Sequence, residues 1–368
     1  MPARRARRPL AVAVLAILLA ACGSGAASAP TSPPAPPTAG TTGRGQTDAT
    51  ADRPTLERVR VGVAGVSAAL APVWIGAKAG LFEKYGLQVE PEVLQSGTVT
   101  MQGLLGGDFQ FVETSGVDLL AARLGGADVR ILGVHINTIP YSIVARAEID
   151  QPARLRGTRI AVSRLGTSSD FAVRYALERI GLKPDVDVTI IGAGNQATRF
   201  AALQSGAVDA TIVSPPLNLL SQKLGLHEVL SLSGLGIEYA HEGIAATGDY
   251  LQAHPAAVSA FLKGYVESML FWKTQPEQTK ALLAQYLSLD PSAGEEAAAL
   301  DETWQAYRDL LPDLPRPTRS GLELIFAERP PGTDASSGAG YAGLVDDGPL
   351  SALEQSGFVD GLRAEYGQ

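Results

Sequence analysis

Of the 368 residues, 45% are hydrophobic, 18% are charged and 6% are aromatic, so the chain can bury a large core in two lobes or domains. A single cysteine excludes an intramolecular disulfide and hence a disulfide-stabilised miniprotein, and the hydrophobic content excludes a wholly disordered chain. The net charge is −8 and becomes about −12 without the four arginines that precede Pro9, so nucleic acid is not an expected partner.

The N-terminus has the charge order of an export signal. Four arginines precede the apolar residues 10–21. A helix over this stretch would span roughly 18 Å, too short for a bilayer core of about 30 Å. The stretch ends in Leu19-Ala20-Ala21-Cys22, which resembles a bacterial lipobox. We therefore predict a signal peptide over residues 1–21, lipidation at Cys22 and anchoring to the extracytoplasmic face of the cell membrane.

Residues 22–54 consist largely of Ala, Ser, Thr, Gly and Pro. Almost no large apolar side chain is present, so this segment cannot bury enough surface to fold. Its prolines favour an extended conformation. We predict a disordered tether between a lipid-modified Cys22 and a folded domain.

Beyond residue 54 the pattern alternates between strand and helix, which favours a parallel α/β architecture. Residues 60–64 and 159–163 both read as buried strands and stand 99 positions apart. The same spacing relates residues 87–89 to residues 186–188, and we interpret both as strand starts. It also relates four residues of the first half to four of the second half, namely Leu104, Gly107, Phe109 and Ser115 to Leu203, Gly206, Val208 and Ser214. This predicts two lobes built on one supersecondary repeat. The alternative is the generic likeness of any two α/β units.

The predicted boundaries follow from this repeat. The first part of lobe 1 covers 55–140, the hinge and lobe 2 cover 141–247, and residues 248–368 return to lobe 1 and form C-terminal helices. Residues 139–145 and 239–247 are predicted as the two hinge strands. The helical spacing predicts helices over 254–272 and 292–311 and one or two over 350–366, with a loop over 329–347.

Two sequence strings carry a family resemblance. Residues 80–89 (GLFEKYGLQV) and 202–210 (ALQSGAVDA) resemble the signatures of the substrate-binding proteins of nitrate, taurine and sulfonate ABC importers. The resemblance implies a type II periplasmic-binding-protein fold, with two α/β lobes joined by two hinge strands. It also implies a monomeric binding protein, not an enzyme, that captures a small polar solute and delivers it to permease and ATPase subunits. A sulfonate-, taurine- or nitrate-like anion is favoured, and no cofactor or metal is expected.

Ligands of open α/β sheets bind beyond the carboxyl ends of the strands, where helix N-termini offer free N–H groups. On that basis the resemblance implies ligand contacts in the strand-end loops of both lobes. The candidates are Ser67, Ala68, Thr98, Ser115, Thr167, Ser168, Asn195 and Ser214, with Tyr141 and Glu242 on the hinge side. Arg164, Arg199 and Trp74 are further candidates, although each residue type is more often a surface or packing residue.

Other functions remain open. Residues 192–197 match the dinucleotide fingerprint G-x-G-x-x-A, but the next strand ends in Ser214 rather than in an acidic residue. The four histidines lack metal-ligand spacing. A pyrimidine precursor of thiamine as solute, a ligand-sensing lipoprotein and an exported enzyme on the same fold are the alternatives to an importer subunit for sulfonate or nitrate.

Overall fold

A computed structural model describes residues 56–327 and 343–367. These residues form two α/β lobes, each built on a five-stranded sheet. The predicted signal peptide, Cys22 and the tether lie outside the described residues, as does most of the predicted loop over 329–347.

Lobe 1 contains the first sheet. Its strands are β1 (Glu57–Val63), β2 (Leu87–Val93), β3 (Phe111–Ser115), β4 (Val129–Thr138) and β10 (Glu238–Thr247). They lie in the order β2-β1-β3-β10-β4, and β10 runs antiparallel to its neighbours β3 and β4. The helices α1 (Pro72–Lys78), α2 (Gly97–Gly106) and α3 (Gly116–Leu124) connect the strands. In β1, Val59, Val61 and Val63 are fully buried, and because alternate residues of a strand point to the same side, they line one covered face of the sheet.

Lobe 2 repeats this arrangement. Its strands are β5 (Ser142–Ala145), β6 (Arg159–Val162), β7 (Thr189–Gly192), β8 (Ala210–Val213) and β9 (His227–Ser231). They lie in the order β7-β6-β8-β5-β9, with β5 antiparallel to β8 and β9. The helices are α4 (Ser168–Arg179), α5 (Gln196–Gln204) and α6 (Leu217–Ser221).

The predicted 99-residue repeat is confirmed by strand register and helix capping. Val61 pairs with Phe111 in lobe 1, and their equivalents Ile160 and Ala210 pair in lobe 2. Helices α2 and α5 begin at equivalent positions, each after an N-cap residue whose side chain accepts the N–H three residues later. The repeat therefore places the same helix start at the ligand-facing end of each sheet.

The strand start predicted over residues 186–188 is wrong. Strand β7 begins at Thr189, and the residues before it form a turn. The carboxylate of Asp187 accepts the backbone N–H of Lys183 at 2.8 Å. A side chain that closes a local turn in this way competes with strand formation.

The chain crosses between the lobes twice. Residues 139–141 connect β4 of lobe 1 to β5 of lobe 2, and residues 232–237 connect β9 to β10. Because the strand after each crossing enters the middle of the other sheet, each lobe contains one strand that begins next to the hinge. Tyr141 and Glu242 lie beside these crossings.

The C-terminal helices pack mainly on lobe 1. They are α7 (Gly248–Ala253), α8 (Pro255–Thr274), α9 (Pro276–Leu287), α10 (Gly294–Leu310), α11 (Arg319–Ala327), α12 (Gly348–Gln355) and α13 (Phe358–Glu365). The helices predicted over 254–272, 292–311 and 350–366 are confirmed within a few residues. Helix α8 lies against α1 and buries Trp272 completely. Among the described residues, no helix combines the length and hydropathy needed to cross a membrane.

Candidate ligand-binding site

The carboxyl ends of the parallel strands in the two lobes face each other across a polar cavity, hereafter the inner cavity. The volume that no protein atom fills is about 460 Å³. The volume that the centre of a water molecule can reach is about 50 Å³. This space suits a small polar group rather than a long ligand. Its principal polar side chains are Ser67, Gln95, Asp118, Tyr141, Ser163, Thr167, Ser168, Ser169, Asn195, Gln196, Arg199 and Glu242.

The loop after β1 forms the lobe 1 wall and is held from below by distant residues. The hydroxyl of Tyr286, on α9, lies 2.9 Å from the carbonyl oxygen of Gly65 and 3.0 Å from that of Leu70. The Nε2 of His135, on β4, lies 2.7 Å from the carbonyl oxygen of Ala69. These contacts fix the backbone that presents Ser67 to the cavity.

His135 serves this loop as a neutral imidazole. Burial lowers the pKa of His135 to about 4. Since a carbonyl oxygen can only accept, Nε2 carries the proton and donates to Ala69, while Nδ1 accepts from the hydroxyl of Tyr265. Glu113 lies 3.7 Å away, and burial raises the pKa of its carboxyl well above the ordinary value. Because His135 is neutral, the contact is not an ion pair.

A buried carboxyl, Asp118, borders the cavity from helix α3. Its Oδ2 accepts hydrogen bonds from the hydroxyls of Ser115 at 2.5 Å and Thr114 at 3.1 Å. Burial raises the pKa of Asp118 to about 6, against the opposing effect of these hydrogen bonds. Position 97 must be glycine for this approach, because a Cβ there would lie 1.9 Å from Oδ2.

The lobe 2 wall is a cluster of hydroxyl groups at the start of α4. The hydroxyl of Ser163 lies 2.8 Å from that of Thr167 and 2.9 Å from that of Ser169. Thr167 also donates to the carbonyl of Arg164 at 2.8 Å. These hydroxyls largely satisfy one another, whereas Ser168, the first residue of α4, lies on the cavity wall with a hydroxyl close to that of Tyr141.

Arg199, on α5, brings the positive charge to the cavity. Its Nη1 donates to the carbonyl of Gly194 at 2.7 Å and its Nη2 to that of Ile212 at 3.0 Å, while the buried Nε has no hydrogen-bond partner. The side chain is 2% exposed, and no carboxylate of the described residues lies within ion-pair distance of it. Burial lowers the pKa of Arg199 to about 10, so it remains cationic at neutral pH.

Gly194 allows the hydrogen bond from Arg199. Its φ of +83° lies in the left-handed region that favours glycine, and the resulting turn directs its carbonyl to Arg199. Gly194, in the dinucleotide-like string over 192–197, thus forms the turn that precedes α5.

On the hinge side, Glu242 adds a second buried carboxyl. Its Oε2 has no hydrogen-bond partner, and burial raises the pKa of Glu242 well above its ordinary value. His241 lies 3.5 Å from Oε1, but burial lowers its pKa to about 3, so that it is neutral. Burial therefore favours the protonated form of Glu242, and a protonated carboxyl can donate a hydrogen bond to an oxyanion.

The two lobes touch across the cavity. Nδ2 of Asn195, the N-cap of α5, donates to Oε1 of Gln95 in lobe 1 at 3.3 Å. Near the C-terminal helices, Lys223 of lobe 2 lies 3.3 Å from Glu295 of α10, and both side chains are exposed. Exposed pairs of this kind contribute little free energy to the contact between the lobes.

Six of the ten candidate residues lie together on the cavity wall: Ser67, Tyr141, Thr167, Ser168, Asn195 and Glu242. Gln95, Asp118, Ser163, Ser169 and Gln196 also line the cavity but are absent from the sequence candidates. Ser163 and Ser169 flank a predicted strand-end loop, which is the one sequence signal that points to any of these five.

The other four candidates lie outside the cavity lining. Ala68 is 1% exposed and packs into the hydrophobic core of lobe 1. Thr98 occupies the second position of α2, where it is only partly exposed. Ser115 bonds to Asp118 and caps α3, and the hydroxyl and N–H of Ser214 are bonded to Gln196. The last two support residues that do reach the cavity.

Of the three further candidates, Arg199 lines the inner cavity, whereas Arg164 and Trp74 do not. Arg164 is exposed beside the inner cavity. Trp74 packs against Tyr286 with ring centroids 5.2 Å apart and does not line the cavity. Within the described part of the chain, no group of three or more His, Cys, Asp and Glu side chains could hold a metal ion.

Comparison with known proteins gives matches in sequence and in fold, and the matches in sequence come first. The sequence model of the NMT1-like family matches residues 52–288. A candidate binding protein of Brucella abortus is 28% identical over 229 residues, which cover 61% of this chain and 70% of that protein. This relative is named as a binding protein, in agreement with the prediction that the chain is not an enzyme.

Solved structures share the fold. A protein of Bordetella bronchiseptica matches with a TM-score of 0.70 and 20% identity, covering 81% of this chain and 97% of that one. The alkanesulfonate-binding protein of Xanthomonas axonopodis, bound to MOPS, matches with a TM-score of 0.61 and 19% identity over 73% of this chain and 90% of that one. The predicted periplasmic-binding-protein fold is confirmed by these matches and by the two sheets described above.

Proposed function

Because the chain belongs to the NMT1-like family, we propose that it is the extracytoplasmic solute-binding subunit of an ABC importer and captures a small anionic solute between its lobes. Sulfonates, taurine and nitrate are the favoured solutes. The observation that carries this proposal is Arg199, a buried cation on the cavity wall whose Nε has no hydrogen-bond partner.

A buried charge without a counter-ion is costly, and proteins retain such charges where a partner arrives from outside. The guanidinium presents planar N–H donors that match the oxygens of a sulfonate or nitrate. Hydroxyls of lobe 2 supply further donors on the same cavity, and so does the carboxyl of Glu242 in the protonated form that burial favours. A sulfonate or nitrate bound there would exchange hydration for fixed dipoles from both lobes.

The fold neighbour from Xanthomonas axonopodis supports the choice of solute class. That protein is an alkanesulfonate-binding protein, and its structure holds MOPS, which itself carries a sulfonate group. The likeness in fold, together with the cation in the cavity, favours a sulfonate-like anion for this chain as well.

A thermal-shift screen of the purified protein tests the proposal. The panel contains taurine, ethanesulfonate, nitrate, bicarbonate, a hydroxymethylpyrimidine and neutral amino acids. Ligand at one hundred times its Kd adds about 2.7 kcal/mol to the free energy of unfolding, which raises Tm by roughly 4 °C for a protein of this size. We expect the oxyanions to give the shift. A shift from the pyrimidine alone would contradict an anion site.

The hydroxyl of Ser168 is expected to contact the solute. Ser168→Ala should weaken binding of the best anion by about tenfold, since a hydrogen bond to a charged group contributes roughly 1.5–3 kcal/mol. Isothermal titration calorimetry measures the change. Ser205→Ala removes an exposed hydroxyl at the C-terminal end of α5 and serves as the control. Equal affinities of Ser168→Ala and the wild type would remove Ser168 from the site.

We propose that lipid on Cys22 holds the protein at the membrane, where it meets its permease and ATPase subunits. Cys22→Ser should move the protein from the membrane fraction to the soluble fraction of bacterial cells, because the acylation site is lost. Immunoblotting of the two fractions measures the distribution. A variant that stays with the membrane would contradict anchoring through this residue.

A further inference from the structure

A second space, hereafter the outer groove, opens beside the inner cavity. The volume of the outer groove that the centre of a water molecule can reach is about 490 Å³. The groove is lined by Gln95, Ser96, Ser163, Arg164, Leu165, Gly192 and Gly194. Gln95 and Ser163 also line the inner cavity, so the two spaces are adjacent. The inner cavity offers only about 50 Å³ by the same measure. A solute larger than one oxyanion group can therefore extend from the inner cavity into the outer groove.

Arg164 distinguishes this groove. Its side chain has no hydrogen bond, ion pair or ring contact with any described residue, whereas every other described arginine has at least one. Its backbone is nevertheless fixed, because its carbonyl accepts the hydroxyl of Thr167 at 2.8 Å. Arg164 is thus an unpartnered cation on an ordered loop at the edge of the ligand space.

Arg199 and Arg164 have complementary positions. Arg199 is buried at the inner cavity and lacks a carboxylate partner, and Arg164 is exposed at the outer groove. The sequence between β6 and α4 places Arg164 immediately before the hydroxyl cluster that lines the inner cavity. Because the two spaces adjoin, a solute that occupies both and carries an acidic group at each end would place one group beside Arg199 and the other beside Arg164.

We propose that the solute carries two acidic groups, an oxyanion head at Arg199 in the inner cavity and a second acidic group at Arg164 in the outer groove. This inference rests on the proposed function and deepens it. It narrows the proposed solutes to short organic diacids such as a sulfocarboxylate, and it disfavours nitrate and taurine, which lack a second acidic group. The second contact is exposed, so it contributes to selectivity more than to total affinity.

Matched pairs of solutes test the proposal by calorimetry on the full-length protein in detergent. The pairs are 3-sulfopropanoate with propanesulfonate, and 4-sulfobutanoate with butanesulfonate. We expect at least one diacid to bind about fivefold more tightly than its partner of equal chain length, which is the most that an exposed ion pair ordinarily contributes. Arg164→Gln should remove that preference, mainly by weakening the diacid.

Arg154→Gln removes an equal charge near the opposite end of β6 and should leave both affinities unchanged. If each sulfonate binds as tightly as its diacid, or if Arg164→Gln weakens both members of a pair equally, the two-acid proposal is wrong while anion capture stands. If none of the four compounds binds and the oxyanion panel is also silent, the proposed function fails with it. Thermal unfolding without solute confirms that both variants are folded.

Discussion

Replacing Arg199 with methionine is expected to lower the affinity for the anionic solute by about two to three orders of magnitude. Truncating one partner of a buried, hydrogen-bonded charge pair costs roughly 2–5 kcal/mol. Arg199 is the cation that lines the inner cavity, and its pKa of about 10 keeps it charged throughout the physiological range. Isothermal titration calorimetry with the best anion of the panel measures the loss.

Arg199→Lys provides the conservative comparison. It keeps the charge but lacks the planar fork that donates to the carbonyls of Gly194 and Ile212. We expect its affinity to lie between those of the wild type and Arg199→Met. Circular dichroism checks that both variants are folded, since either substitution leaves a buried carbonyl without its donor. A folded Arg199→Met variant with wild-type affinity would contradict the site.

Asp118→Asn is expected to tighten the binding of ethanesulfonate or nitrate at pH 8 by about tenfold. Burial raises the pKa of Asp118 to about 6, so the wild-type side chain is ionised at pH 8 and repels an anion in the same cavity. As the pH falls through 6 this charge disappears. Wild-type affinity should therefore rise between pH 8 and pH 5, while the affinity of the variant changes less.

The same substitution should change stability in the same pH range. Because the pKa of folded Asp118 is raised from 3.8 to about 6, its stabilising contribution is full below about pH 4 and is lost as the pH rises through about 6. The shift corresponds to about 3 kcal/mol. Asp118→Asn should thus be more stable than the wild type at pH 8, by up to about this amount, and similar to it at pH 4. Urea denaturation at the two pH values measures the difference.

Glu178→Gln, at an exposed position in the last turn of α4, controls for the removal of one carboxylate. The account would be contradicted if Asp118→Asn bound ethanesulfonate more weakly than the wild type at pH 8. That result would mean that the ionised carboxylate attracts the solute. Taurine carries an ammonium group as well as a sulfonate, so it can respond differently and is compared separately.

The sequence predicted the frame of the site because the frame depends on local signals and on a repeat. Thr167, Ser168 and Asn195 could be placed at helix starts from residue type and strand position alone. In the structure the spacing of 99 residues also relates Asn195 to Ser96, because each is the N-cap of the equivalent helix in its lobe.

The remaining site residues depend on tertiary contacts. Asp118 stands three positions after the N-cap Ser115, a spacing typical of ordinary helix capping, and only the nearby Gly97 gives its carboxyl room at the cavity. Gln95 reaches Asn195 from the other lobe, which no local pattern indicates. Tyr286 holds the loop after β1 from a helix more than 200 positions away.

Ser214 is a residue that the sequence predicts as a ligand contact but that does not line the inner cavity. As the equivalent of Ser115 at the end of a parallel strand, it has the sequence features of a ligand contact. In the structure the side chain of Gln196 accepts its N–H at 2.6 Å and donates to its hydroxyl at 3.1 Å. A polar group satisfied by a neighbour no longer needs a solute, and Gln196 takes the place at the cavity.

A crystal structure with 2-bromoethanesulfonate would show where a sulfonate binds, because the anomalous signal of bromine locates the compound independently of the interpretation of its density. We expect the sulfonate within hydrogen-bonding distance of Arg199 and Ser168, between the two lobes, with the bromine towards the outer groove. A compound bound outside the interlobe cavity, or one inside it with the sulfonate turned away from Arg199, would mean that Arg199 does not capture the anion.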